Sequence, residues 1–148
     1  MNFSIRRVGQ DDVDQLAPLF DAYRQFYQQP GDLPRARDFL RERLERDEST
    51  VLIAEHDGTI VGFTQLYPMF SSVRTARIWI LNDLYVAEPA RRSGAARGLL
   101  DAAARFAREN GAVRLMLETG RDNTPARALY RAAGWSEDDS QWYSLSLA

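Results

Sequence analysis

Ala76-Arg77-Ile78-Trp79-Ile80-Leu81-Asn82-Asp83-Leu84-Tyr85-Val86-Ala87-Glu88-Pro89-Ala90-Arg91-Arg92-Ser93-Gly94-Ala95-Ala96-Arg97 is the stretch from which the fold is read. Its first half, Ala76 to Val86, is long, apolar and rich in β-branched and aromatic residues, which predicts a central strand. Glu88-Pro89 ends that strand. From Gly94 to Asn110 the residues Ala96, Leu99, Leu100, Ala103, Phe106 and Ala107 fall on one face of a helix, and Asn110-Gly111 supplies its stop. Small residues therefore stand where strand hands over to helix. Free N–H groups and the positive dipole end gather there and bind anionic oxygens, and Gly94, Ala95 and Ala96 let a pyrophosphate approach the backbone. Arg91, Arg92 and Arg97 add positive charge. Taken alone, the same turn also reads as a plain connection with a solvated basic cluster.

Working outward, Val51–Glu55 and Ile60–Tyr67 flank His56-Asp57-Gly58-Thr59, a hairpin signal that predicts antiparallel pairing. Upstream, Phe3 to Val8 reads as a short strand. Asp11-Asp12 then opens a helix carrying Val13, Leu16, Ala17, Phe20, Tyr23 and Tyr27 at helical spacing. Gln29-Pro30-Gly31-Asp32 breaks it, and Leu33 to Arg46 forms a second, charged amphipathic helix with Phe39, Leu40 and Leu44. Downstream come a strand over Val113–Thr119, a helix over Thr124–Ala133 capped by Gly134, and a last strand over Gln141–Leu147. The order β-α-α-β-β-β-α-β-α-β predicts a mixed α/β sheet. No internal repeat or linker interrupts it, so residues 1–148 read as one domain.

Composition removes several classes of chemistry. The chain has no cysteine, which excludes disulfides, thiolate nucleophiles and cysteine-held metals, and no metal site is expected. His56 is the single histidine; it sits at a strand end entering a turn and reads as a solvated turn residue rather than the base of a hydrolase triad. The formal net charge is −2 and every basic residue is arginine, which argues against strong attraction to nucleic acid. No run approaches the roughly 18 apolar residues of a membrane helix, and the first residues lack a signal peptide's apolar stretch. A cytoplasmic location is the expectation.

Two motifs carry a resemblance. Arg91-Arg92-Ser93-Gly94-Ala95-Ala96 fits Gln/Arg-x-x-Gly-x-Gly/Ala after a strand ending Asp83-Leu84-Tyr85-Val86. Asn123-Thr124-Pro125-Ala126-Arg127-Ala128-Leu129-Tyr130 with Ala133-Gly134-Trp135 fits Asn-x-x-Ala-x-x-(Leu/Phe)-Tyr-x-x-x-Gly-(Phe/Trp). In this order and spacing they resemble the GNAT superfamily of N-acetyltransferases along almost the whole chain. Leu81-Asn82-Asp83-Leu84-Tyr85-Val86 further resembles the branch of diamine and small histone- or polyamine-acetylating enzymes. The resemblance implies a mixed, mostly antiparallel twisted sheet of about six to seven strands flanked by four helices. It also implies transfer of acetyl from acetyl-CoA to a primary amine of a small molecule, protein or peptide, by direct attack in a ternary complex.

Carried over residue by residue, the resemblance implies that the backbone of Leu84, Tyr85 and Val86 pairs with the pantetheine arm like an added strand. Arg91, Arg92, Ser93, Gly94, Ala95, Ala96 and Arg97 hold the pyrophosphate. Asn123 and Ala126 belong to the pantetheine side, and Tyr130 stands near the sulfur and protonates the departing thiolate. The plain alternative for Tyr130 is a ring packed in the core. Many relatives carry a Glu base where this chain has Asn82, and an amide cannot accept the proton. The expectation is therefore that Asn82 orients the amine and Asp83 attracts or deprotonates it, provided a bulge brings these neighbours to one face. The backbone around Leu84 then polarises the acetyl carbonyl. Asp83 also reads as a structural carboxylate. Tyr27, Tyr67 and Phe70 are candidates for the acceptor wall, where aromatic rings and a carboxylate suit an alkyl-ammonium; core or interface roles fit them too.

Two other readings fit the same residues. One is a non-catalytic acyl-CoA sensor on the same fold; the other is a nucleotide- or phosphate-binding α/β protein, against which stands the lack of Gly-x-x-x-x-Gly-Lys-Ser/Thr and Gly-x-Gly-x-x-Gly. The alternating Gln141–Leu147 segment suggests a homodimer through strand pairing or exchange.

Overall fold

Asp57 and Gly58 set the first strand pairing. With φ of +50° and +76° they form a two-residue turn whose twist suits a hairpin, and His56 faces Thr59 across it. In the computed structural model, which describes residues 2–148, the turn joins β2 (Thr50–His56) to β3 (Thr59–Ser71). With β1 (Ser4–Arg7), β4 (Ala76–Val86) and β5 (Arg114–Met116) they make one sheet of order β1-β2-β3-β4-β5. The first four strands pair antiparallel; β5 runs parallel to β4. That last pairing requires a crossover, which α3 (Ala95–Glu109) supplies.

The two faces of the sheet receive different helices. Phe63 of β3 meets the rings of Phe20 and Tyr23 on α1 (Val13–Phe26), at 6.0 and 5.7 Å between centroids. α2 (Leu33–Glu45) begins where the Asp32 carboxylate accepts the Arg35 N–H at 3.1 Å, and it packs Ala36 and Leu40 into the same core. On the other face Gly62 lies so near Leu99 of α3 that an added Cβ would stand 3.3 Å from it, and Trp79 of β4 meets Phe106 of α3 edge-on at 5.1 Å. Asp83 thus looks toward α1, and Trp79 toward α3.

The chain divides into two compact units, Met1–Glu118 and Thr119–Ala148. In the second, α4 (Thr124–Ala132) starts at Asn123, whose side chain accepts the Ala126 N–H at 3.3 Å. It ends in a left-handed Gly134, with Trp135 N–H to Tyr130 O at 2.9 Å and Gly134 N–H to Arg131 O at 3.1 Å, the paired bonds of a Schellman stop.

Two expectations are corrected. The sheet has five strands rather than six to seven, because residues 141–147 form no ladder among the described residues and the element order ends on α4. Alternating polarity creates a face for a strand but not the neighbour that makes it one; Trp142, Tyr143, Leu145 and Leu147 are exposed. β5 spans Arg114–Met116 instead of Val113–Thr119, since its ladder stops at Ile80–Met116, just before β4 is bent by an irregularity.

Candidate active site

That irregularity builds the site. Leu66 pairs with Leu81 and Gln65 with Asp83, so Asn82 is an extra residue on β4 opposite no partner: a β-bulge. A regular strand would turn Asn82 and Asp83 to opposite faces. The bulge lets the Asn82 Nδ2 donate to the Asp83 Oδ1 at 2.7 Å, while the Thr64 hydroxyl donates to the Asp83 carbonyl at 2.8 Å. Beyond the bulge β4 and β5 no longer pair, and the edge of Leu84–Val86 facing β5 is open to an added strand.

Asp83 is 2% exposed. Gln65 Nε2 donates to its Oδ2 at 2.6 Å, and Tyr23 OH to its Oδ1 at 3.3 Å. Burial raises the carboxyl above its ordinary 3.8, and the hydrogen bonds from Asn82, Gln65 and Tyr23 work against that rise without cancelling it. Burial, and then the Asp83 charge, raise Tyr23 and Tyr67 as well, so both remain phenols that can donate. Beside them Gln65 Oε1 is buried without a hydrogen-bond partner. Tyr27 is exposed and meets Tyr23 edge-on at 5.2 Å.

At the end of β4 the turn shows how its residues are committed. Arg91 folds back: its Nε donates to Val86 O at 2.9 Å and its guanidinium lies 5.5 Å from the Tyr85 ring. Arg92 takes φ +63° and is exposed, Ser93 donates its hydroxyl to Ala90 O, and Gly94 caps α3 at φ +89° with no side-chain cap bond. The first helical bond is Gly98 N–H to Gly94 O at 2.9 Å. The amides of Ala95, Ala96 and Arg97 therefore precede the ladder and are free for an anion. Arg97 spends part of its charge on Asp101, 3.2 Å away.

The model of the Acetyltransferase (GNAT) family matches residues 16–135. The chain belongs to that family. It is 51% identical to the Bacillus subtilis (strain 168) protein called uncharacterized N-acetyltransferase YhfO, over 91% of each chain. It is 34% identical to a probable acetyltransferase of Haemophilus influenzae, over 76% of this chain and 77% of that one. The crystal structure of a probable acetyltransferase superposes with a TM-score of 0.94 at 42% identity, covering 98% of both chains.

As a GNAT acetyltransferase the chain keeps its motif residues in the two units. Asn82, Asp83, Leu84, Tyr85, Val86 and the 91–97 turn belong to the first; Asn123, Ala126 and Tyr130 belong to the second, where the Tyr130 ring stands 6.3 Å from Trp135. The oxygen of Asn123 is occupied by its capping bond, leaving its amide N–H groups as the free donors. Of the three aromatic candidates, Tyr67 and Tyr27 join the Asp83 neighbourhood through its charge and through Tyr23. Phe70 does not: it lies under the Arg77 guanidinium at 4.9 Å, with Trp79 and Phe106. Sequence reasoning passed over Tyr23 and Gln65 as site residues. Each left a signal: Gln65 is an amide inside an apolar strand, and Tyr23 lies one helical turn before Tyr27. No group of three or more His, Asp or Glu side chains that could hold a metal is found among the described residues, and no helix among them is long and apolar enough to cross a membrane.

Proposed function

We propose that residues 1–148 act as one acetyl-CoA-dependent N-acetyltransferase domain that acetylates a primary amine. The observation that carries this reading is the buried Asp83 carboxyl beside the unpartnered Gln65 Oε1, on the strand whose open edge runs to an uncapped helix start. The Asp83 charge draws a cationic amine to the Tyr23 side of this cluster, and the free amides of Ala95, Ala96 and Arg97 fit a diphosphate. Acetyl-CoA, when bound, supplies the thioester carbon that the amine attacks.

The chain's own residues divide the remaining work. Arg92 and the α3 amides hold the diphosphate, Leu84–Val86 align the arm, and Asn123 contributes its amide N–H. Asp83 offers about four lone-pair positions, of which Asn82, Gln65 and Tyr23 use three. Tyr23 joins it to the partly open side: as a phenol it passes its proton to Asp83 while accepting one from the ammonium, so that no tyrosinate forms. Backbone N–H groups near Leu84 polarise the acetyl carbonyl, and Tyr130 gives its proton to the leaving sulfur. As the family resemblance implies, the amine attacks the thioester directly in a ternary complex. The diamine branch suggested by Leu81–Val86 gains nothing from the relatives' names, so the acceptor is stated by chemistry: an alkyl-ammonium against Tyr27 and Tyr67. A cytoplasmic setting accords with this, and a homodimer through residues 141–147 would cover four exposed apolar side chains; sedimentation at high concentration tests it.

Following free thiol against a panel of primary amines tests the reading. Steady, amine-dependent CoA release is expected, and Tyr23→Phe should lower kcat about a hundredfold, the lower end of proton-transfer contributions of roughly 10²–10⁴. A binder that never releases thiol with any amine would be the acyl-CoA sensor instead.

A further inference from the structure

On the sheet face opposite Asp83, the ends of β1 and α3 and the starts of β2 and β4 border a cavity of about 500 Å³, lined by Arg7, Ser49, Thr50, Arg77, Trp79 and Phe106 among others. That volume lies within the roughly 300–1,000 Å³ of small-molecule sites. Two of its features call for a ligand. The first is cationic. Arg7 rests 5.4 Å over the Phe106 ring and gives one N–H to Thr50 Oγ1 at 3.3 Å; Arg77 lies 4.9 Å over Phe70 and 5.5 Å from Trp79. Neither guanidinium has a carboxylate partner among the described residues, whereas the adjacent Arg6 is held by Asp12 at 2.7 Å and Glu55 at 2.6 Å. Asp47 is in the lining but is exposed, where water screens its charge.

The second feature is a pair of orphaned groups. Ser49 is 3% and Trp79 6% exposed, and both Ser49 Oγ and Trp79 Nε1 are buried without a hydrogen-bond partner. Buried polar atoms are normally paired, and an indole N–H can only donate. Two cations without a carboxylate partner, and two lining residues whose polar atoms have no partner, are together complementary to a group that only accepts. Stacking of each guanidinium on a ring fixes its plane and leaves its edge N–H groups for planar, bidentate recognition.

We propose that this cavity is a second ligand site, separate from the Asp83 neighbourhood, which takes a small molecule bearing an oxyanion. Arg7 and Arg77 hold the carboxylate or phosphate, Ser49 and Trp79 donate to it, and Phe70 and Phe106 cover its organic part. The site stands whether or not the chain transfers acetyl groups.

Trp79 is its own reporter. Of the three tryptophans, Trp135 and Trp142 lie in the second unit, and Trp135→Phe with Trp142→Phe leaves Trp79 alone. Full-length protein of that background is titrated with inorganic phosphate, with succinate, and with uncharged succinamide. Saturable change in Trp79 emission is expected with at least one anion and not with succinamide. Arg7→Gln and Arg77→Gln should each weaken it about tenfold or more, while Arg97→Gln at the α3 start retains it. Response to phosphate alone identifies a phosphorylated ligand, response to succinate alone a carboxylate, and response to both an oxyanion site without that selectivity. If a Gln variant loses its circular dichroism, Arg7→Lys and Arg77→Lys replace it, keeping the charge without the fork. No saturable change with either anion at about 20 mM, or unchanged affinity in the arginine variants, overturns the proposal.

Discussion

Asp83→Asn should lower kcat/KM for the amine by roughly 10²–10⁴, the range of a positioned proton acceptor. The variant keeps the shape but reverses the bonding. Two donors, Asn82 Nδ2 at 2.7 Å and Gln65 Nε2 at 2.6 Å, now converge on a group that has one oxygen and one N–H₂. The acceptor for the ammonium proton is gone as well. In the wild-type protein the acid limb of the pH–rate profile follows Asp83, whose carboxyl is raised by burial; in the variant that limb should disappear. An unchanged profile removes Asp83 from proton transfer.

The same shift fixes a stability trend. With its folded value raised, Asp83 holds its proton more tightly in the native than in the unfolded chain. Its contribution is therefore complete below the ordinary 3.8 and is lost as pH rises through the raised value. Asp83→Asn should flatten that decline. Urea unfolding of both proteins from about pH 4 to about pH 8 reads it directly: the stability difference, wild type minus variant, should fall with rising pH.

Gly94→Val should raise the Kd for acetyl-CoA by roughly 10–100-fold, corresponding to the loss of one hydrogen bond to a charged group at about 1.5–3 kcal/mol. Gly94 holds φ +89° at the start of α3, which a β-branched residue adopts only with strain of roughly 1–2 kcal/mol. Crowding is not the cause, since the nearest atom an added Cβ would meet is Phe3 Cζ at 3.9 Å. The effect comes from distorting the turn that presents the Ala95, Ala96 and Arg97 amides. Gly58→Val is the matched control: φ is +76° and the space around it is open. It should cost similar stability and leave the acetyl-CoA affinity unchanged. Equal affinities in all three proteins would detach the α3 start from diphosphate binding.

The sequence made the scaffold legible because its strongest signals are local. Asp57-Gly58 dictates a hairpin, Ala76–Val86 is too apolar to be anything but a buried strand, and the small residues from Gly94 open a helix. The candidate carboxylate was legible too, as the acid next to Asn82. Its surroundings were not. Whether Asn82 and Asp83 share a face depends on a register slip between β3 and β4, which no property of either residue announces. Tyr23 reaches Asp83 from α1 and Gln65 from β3, contacts across 60 and 18 positions that only packing creates. Phe70 lies on the other sheet face from Asp83 through parity: it belongs to the α3-facing set with Trp79. Residues 141–147 have a strand's alternation but no partner strand among the described residues.

Calorimetric titration of the intact chain with acetyl-CoA, beside S-acetylpantetheine, which has the same thioester arm but no diphosphate, tests the central assignment most directly. Saturable one-to-one binding of acetyl-CoA is expected, with the truncated thioester weaker by about 100-fold or more, as loss of charge-assisted bonds at a helix start requires. No heat at millimolar acetyl-CoA, or equal affinity for the two thioesters, would contradict it.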